Sequence, residues 1–227
     1  MKTNLLSINA DAKTSKGNTG YLTGILYLTP AGQAGLKNLC PRASDGCKAA
    51  CLYTAGRGKF TKVQQARIKK TKYLFEDRES FIDVLKSDIR ILIRQAKEKG
   101  LKAAVRLNGT SDYPFHRLID FEAFKNVQFY DYTKITQKAL DFANGKLAKN
   151  YYIVFSRSEN NWNECLKVLK AGGNVAAVFK NELPLTYNRF PVLDGDQNDS
   201  RFLDEQGCII GLKAKGYAKK DKSGFVI

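Results

Sequence analysis

The sequence predicts an α/β protein, either a partial TIM-type (βα)6-like barrel or an open parallel sheet, with a cysteine loop after the first strand. Three observations predict it. Short β-prone runs alternate with stretches of helical periodicity through most of the 227 residues. Polar, chemically capable residues follow nearly every β-prone run, as they do at the ligand-binding ends of parallel strands. Three of the five cysteines, Cys40, Cys47 and Cys51, fall together directly after the first of those runs.

In chain order, a polar opening from Thr14 to Gly20 leads into Tyr21-Leu-Thr-Gly-Ile-Leu-Tyr-Leu28, which reads as a strand ended by Pro30. The cysteine loop follows. From Gly58 to Lys99 no proline interrupts the chain. Apolar residues recur there at helical spacing in Val63, Ala66, Tyr73 and Leu74, then in Phe81, Leu85, Ile89, Leu92 and Ala96. This predicts two helices broken near Asp77 to Ser80. Runs at 102–108, 127–130, 151–155, 175–179 and 208–212 then alternate with predicted helices at 115–124, 135–143 and 162–169. Strands separated by helices require parallel pairing with right-handed crossovers. One domain over 1–227, ending in a basic tail from about 213 to 227, accommodates them all.

With 43% hydrophobic and 26% charged residues and 5 prolines, the composition excludes collagen-like, low-complexity and wholly disordered chains. Lysine and arginine number 38 against 22 acidic residues, a net charge of +16. Such a field draws polyanions, so the expected partner is a nucleic acid or nucleotide. The stretch 57–72 carries seven basic residues and no acid. On a helix Lys59, Lys62, Lys69 and Lys70 would form a strip along a phosphate backbone, with Phe60 and Tyr73 available for stacking. The five lysines of 213–222 are expected to form a mobile polyanion contact. No run approaches the roughly 18 apolar residues that cross a bilayer, and Met1 to Asp11 has too short an apolar core for a signal peptide. The expectation is a cytoplasmic protein with no membrane partner. Oligomeric state leaves no mark on the sequence.

The segment Leu39-Cys-Pro-Arg-Ala-Ser-Asp-Gly-Cys-Lys-Ala-Ala-Cys-Leu52 has the spacing C-x6-C-x3-C. An odd number of cysteines argues against a disulfide framework. Pro41 and Gly46 let the chain wrap so that three thiolates converge on a soft metal or cluster. Three ligands suit a 4Fe-4S cluster with one iron left open. Zinc is the alternative; it wants four ligands, and His116, Cys165 or Cys208 would have to supply the fourth. Cys165 and Cys208 read more naturally as small core residues. Arg42, Lys48, Arg57 and Lys59 would stabilise thiolates and a bound anion.

The strand tips supply the rest of the expected site. Asp112, Asp131, Lys134 and Asp194 are candidates for proton transfer, and Asn108, Ser111, Arg157 and Lys180 for holding a cofactor or anion. The same residue types also cap βα loops. Magnesium on Asp112, Asp131 and Asp194 would make a nuclease. No phosphate loop, dinucleotide fingerprint or nucleophile elbow is present.

Four segments, 39–52, Val105-Arg-Leu-Asn-Gly-Thr-Ser-Asp112, Phe129-Tyr-Asp-Tyr-Thr-Lys134 and Val192-Leu-Asp-Gly-Asp196, together resemble phage and plasmid proteins of the gene-product-88 type over most of the chain. That resemblance implies a phage or mobile-element origin, hence a host cytoplasm, rather than a reaction. A looser resemblance is to radical S-adenosylmethionine enzymes, in which a three-cysteine loop after the first strand of a partial (βα)6 barrel holds a 4Fe-4S cluster. It implies that Cys40, Cys47 and Cys51 ligate three irons, that S-adenosylmethionine chelates the fourth, and that Asp112 or Ser111 meets the cofactor's amino group. The chain departs from that pattern: the usual spacing is C-x3-C-x2-C, and Asn108-Gly-Thr-Ser-Asp112 replaces the usual Gly-Gly-Glu. The leading expectation is an iron-sulfur protein, acting on a nucleotide or nucleic acid by radical chemistry if it is an enzyme. The rivals are a nucleic-acid binder whose cluster or zinc only fastens the loop, and the metal-dependent nuclease.

Overall fold

In the computed structural model, which describes residues 4–8, Thr14 and 19–227, the β-prone runs assemble into one sheet. The signal-peptide reading of Met1 to Asp11 and most of the polar opening lie largely outside the described residues. The strands are β1 (Leu6–Ile8), β2 (Tyr21–Leu26), β3 (Lys102–Arg106), β4 (Val127–Thr133), β5 (Tyr151–Ser156), β6 (Asn174–Phe179), β7 (Thr186–Tyr187), β8 (Phe190–Asp194) and β9 (Ile209–Lys213). They lie in the order β1-β2-β3-β4-β5-β6-β9-β8-β7. From β2 across to β8 every pairing is parallel, while β1 and β7 pair antiparallel at the two edges. The sheet is open, which decides between the two predicted architectures. Each outer edge is occupied by an antiparallel strand, so β2 and β8 have no free edge left to close a barrel.

The helices are α1 (Asp45–Ala49), α2 (Thr61–Glu76), α3 (Arg78–Glu98), α4 (Thr136–Ala143) and α5 (Trp162–Lys170). The predicted break between α2 and α3 falls at Asp77, whose carboxylate accepts from the Ser80 amide at 3.1 Å. The predicted helix at 115–124 does not form beyond a single 3-10 turn at Phe115–Arg117. The Asn150 side-chain amide donates to the carbonyls of Phe121, Phe124 and Val127 at 2.8, 3.2 and 3.1 Å, so the segment is held as loop. Phe115, Ile119, Phe121 and Phe124 still reach the core, and Phe121 stacks on Phe129 at 4.1 Å.

Strand residues alternate between two faces. Val105, Phe129, Ile153, Phe155, Val175, Ala177 and Ile209 join the main core with residues of α3, α4 and α5. Ala104, Tyr130, Tyr152, Val154, Ala176 and Ile210 form a second cluster. The loop 195–208 covers part of this second face. Phe202 packs edge-on to Tyr21 and Tyr130 at 4.8 and 5.5 Å, and Asp199 accepts from the Tyr130 hydroxyl and Arg106 at 2.9 and 3.1 Å. Arg106 also lies 4.5 Å from the Tyr132 ring centroid.

The basic tail, expected as an extended lysine arm, is packed against the sheet through its apolar residues while its lysines stay exposed. Val226 bridges to Val178, Lys180 donates its amide to the Ile227 carbonyl at 2.7 Å, and Ala218 and Phe225 are buried.

Candidate functional site

The cysteine loop crosses the carboxyl ends of the parallel strands and is pinned at both sides. On one side the Asp112 amide donates to the Leu39 carbonyl at 2.8 Å, which sets Cys40 against the β3 tip. On the other, Glu159, just after β5, accepts from the Ser44 hydroxyl at 2.7 Å and the Gly46 amide at 2.9 Å. Ser44 in turn caps α1 by accepting from the Cys47 amide. A four-residue separation puts Cys47, inside α1, and Cys51, just past its end, on one side of that turn. Gly46 is required there. A Cβ would come 2.8 Å from Phe225 Cβ and 2.9 Å from Glu159 Oε2, and closer still to Ser223 Oγ.

Between this loop and the strand tips lies a cavity of about 270 Å³, lined by Cys40, Cys47 and Cys51 together. All three thiols are free. The Ala31 amide donates to Cys40 Sγ at 3.3 Å. Burial pushes the Cys40 thiol up to about 11 against that hydrogen bond, and burial likewise raises Cys51. The two therefore carry protons near neutral pH unless a cation displaces them. Among the described residues no three His, Cys, Asp or Glu side chains are grouped closely enough to hold a single metal ion. A cluster distributes its thiolates over separate irons and does not need them to meet at one point.

Seven cations line the same cavity: Arg42, Lys48, Arg106, Lys134, Arg157, Lys213 and Lys215. Its three carboxylates are engaged. Asp112 accepts from the Thr133 hydroxyl and the Lys134 amide, Asp196 from Lys215 Nζ at 2.6 Å and the Lys213 amide at 2.8 Å, and Asp199 from Arg106 and Tyr130. The cavity thus combines three thiols with an excess of positive charge.

The structure sorts the predicted residues into three groups. Cys40, Cys47, Cys51, Asn108, Ser111, Asp112, Lys134 and Arg157 all line the cavity. Of these, Asn108 and Ser111 direct their polar atoms inward to the loop. Asn108 Oδ1 accepts from the Ser111 hydroxyl and the Tyr113 amide, both at 2.8 Å, and Asn108 Nδ2 donates to Asp131. Asp131, expected at a tip, lies within β4 because that strand runs on to Thr133. It is 1% exposed and accepts from Asn108 and from the Tyr151 hydroxyl at 3.0 Å. Lys180 and Asp194 are exposed outside the cavity, and Lys215 and Asp196 take the places in its lining that those two were expected to fill. The carboxylates of the nuclease expectation are therefore not gathered at one point.

The alternative fourth zinc ligands lie elsewhere. Cys165 is buried in α5, and Cys208 precedes β9 at the opposite end of the strands from the cavity. His116 stacks on Tyr151, the first residue of β5, at 6.0 Å. Burial, with Lys138 and Arg117 nearby, holds its pKa down to about 4 from 6.5. The sign follows: the unfolded chain gains this proton below pH 6.5 and the folded one does not until about 4, so stability present above 6.5 falls through that window. Thermal melts should show His116→Gln with a shallower loss between these values than wild type; identical slopes would contradict the assignment.

Of the predicted helix strip, Lys59 falls in a 3-10 turn ahead of α2, and of the other basic residues of 57–72 Arg67 is turned inward, 4.9 and 5.4 Å from the Tyr27 and Tyr53 ring centroids. Lys70 donates to the Leu5 carbonyl at 2.6 Å, and Tyr73 packs against Phe81. Arg106 and Glu159 are the contributors the sequence did not disclose. A lone arginine on the inward face of an apolar strand was the one available signal for the first.

Fold and site define an open-sheet α/β protein with a thiol-lined, cationic cavity at its strand ends. The family model described as gene product 88 matches residues 3–227, and the chain belongs to that family. No curated protein and no solved structure matches it. Among the described residues no helix is long and apolar enough to cross a membrane.

Proposed function

We propose that the protein holds a 4Fe-4S cluster through Cys40, Cys47 and Cys51, with one iron open to the cavity, and that the cavity takes a small anionic ligand beside it. The observation that carries this reading is the convergence of three unpaired thiols, borne on separately anchored segments, on one cation-lined cavity. The residues fit such a group chemically. Buried protonated thiols become ligands by losing protons to a cation, and the surrounding lysines and arginines compensate the thiolates. Zinc fits less well, because the carboxylates that line the cavity among the described residues, Asp112, Asp196 and Asp199, are each engaged by other groups of the fold. A volume of about 270 Å³ lies just below the range of small-molecule sites, roughly 300–1,000 Å³, which suits a small ligand.

A bound cluster would supply one-electron transfer or a Lewis-acidic iron. Lys134 and Arg157 line the cavity and would hold an anionic group, Lys215 being paired with Asp196 at 2.6 Å; Lys134 also reaches the Arg157 carbonyl at 3.4 Å. The groups expected to meet the amino end of S-adenosylmethionine, Asp112 and Ser111, are occupied within the fold, Asp112 by Thr133 and the Lys134 amide and Ser111 by Asn108. The arrangement therefore favours an anion over that cofactor.

Anaerobic incubation with ferrous iron and sulfide should develop visible charge-transfer absorption and, after reduction, an EPR signal. Both should be absent from the Cys40→Ala/Cys47→Ala/Cys51→Ala variant. The same spectra in that variant would reject the assignment, and a shift on adding S-adenosylmethionine would restore the radical-enzyme reading.

A further inference from the structure

The mouth of the cavity carries a surface that the cluster does not require. Three short turns pack on one another there: Leu52–Thr54, Gly56–Lys59 and Gly216–Lys220. Close approach fixes them. A Cβ on Gly58 would lie 3.0 Å from the Tyr53 carbonyl oxygen, and one on Gly216 would lie 3.0 Å from Ala55 Cβ. Gly216 also has φ +57°, which an L side chain rarely adopts. Leu52 and Ala218 form part of the cavity wall, so the ridge stands at its rim.

Three large apolar side chains lie open on this ridge and its edge: Leu52 at 54%, Phe60 at 54% and Tyr217 at 64% exposure. Arg57, Lys59, Lys62, Lys213, Lys219 and Lys220 flank them in sequence, all exposed, with Lys215 beside them paired to Asp196 at 2.6 Å, and neither 52–62 nor 213–220 contains an acidic residue. The adjoining Asp221 is used internally, accepting from the Ser223 hydroxyl and the Val226 amide. Two aromatic rings open to water among lysines set this ridge apart from a purely charged face. Aromatic faces interleaved with cations match one polymer chemistry: a phosphate backbone with unpaired bases to stack. An acidic polypeptide satisfies the cations but not the rings.

We propose that this ridge binds single-stranded nucleic acid, with Phe60 and Tyr217 stacking on bases and the flanking lysines tracking phosphates. The cavity is far too small to admit a polymer, so the strand lies across its rim. The proposal is independent of the cluster and holds equally for the metal-free protein.

The test is fluorescence anisotropy of the full-length chain with a labelled oligothymidylate of about 12 nucleotides, at several salt concentrations. Binding should weaken with salt. Phe60→Ala and Tyr217→Ala should each lose about tenfold in affinity with an unchanged salt slope. Lys219→Gln/Lys220→Gln should flatten the log–log slope by about 1.4, or about 0.7 for each phosphate left without its lysine. Thermal melts should leave all three variants folded, since the altered side chains are exposed. No binding at low salt would overturn the proposal. So would aromatic variants that bind like wild type, or inorganic polyphosphate or polyglutamate competing as well as the oligonucleotide does. Running the same titration with Cys47→Ala keeps this result separate from the fate of the cluster.

Discussion

Lys138→Met should lower the thermal midpoint of the protein by about 6–20 °C. Lys138 sits on α4 with its side chain 4% exposed, 3.6 Å from Asp112 Oδ1 and 5.5 Å from the Tyr151 ring centroid. Burial raises the pKa of Asp131, and the Lys138 charge is the largest influence opposing it. One ammonium thus offsets two carboxylates that hold the β3 and β4 tips together. Removing a single partner from a buried ionic group costs about 3–5 kcal/mol. For a chain of this size that corresponds to roughly 2–4 °C per kcal/mol. Methionine fills the same volume, so the loss reports the charge and not a cavity. Adding Asp131→Asn to Lys138→Met should recover part of it. A midpoint within about 2 °C of wild type would show that the carboxylates need no counter-charge.

Gly46→Val should abolish iron uptake while leaving the sheet folded. α1 is wedged between Glu159 and the tail, and a valine side chain at position 46 would have to displace Phe225 or the Glu159 carboxylate. Overpacking costs typically about 1–3 kcal/mol, which the fold should survive. The docking of α1 should not survive it, and with α1 go Cys47 and Cys51 while Cys40 stays tied to the β3 tip. Glu159→Ala should act in the same direction, since it leaves the Ser44 hydroxyl and the Gly46 amide without their acceptor. Iron and sulfide assays after anaerobic reconstitution, beside circular dichroism, check this. Full iron incorporation by Gly46→Val would mean that the loop does not need its anchor.

The strands were legible because buried parallel strands are continuous apolar runs, and all five runs after the cysteine loop became strands within a few residues of their expected limits. The cysteine loop was legible from spacing alone. What failed did so for tertiary reasons. Phe115 to Phe124 has helical spacing, but its carbonyls are taken by Asn150, a residue 26 positions beyond Phe124. Asp131 reads as a tip residue because it is polar and follows Phe129 and Tyr130. Its burial depends on Tyr151 and Asn108, which no local pattern reveals. The same holds for Glu159, whose partners lie 113 and 115 residues away. The tail reads as a free lysine arm because nothing in 213–227 shows that Val178 will bridge it.

Whether three thiols at the strand ends hold inorganic iron is checked most directly by the metal and sulfide content of protein isolated without exposure to air, with the triple alanine variant at the three cysteine positions alongside. About four irons and four sulfides per wild-type chain are expected, and none in the variant. One zinc per chain without iron, or iron that persists when the three cysteines are gone, would contradict the assignment.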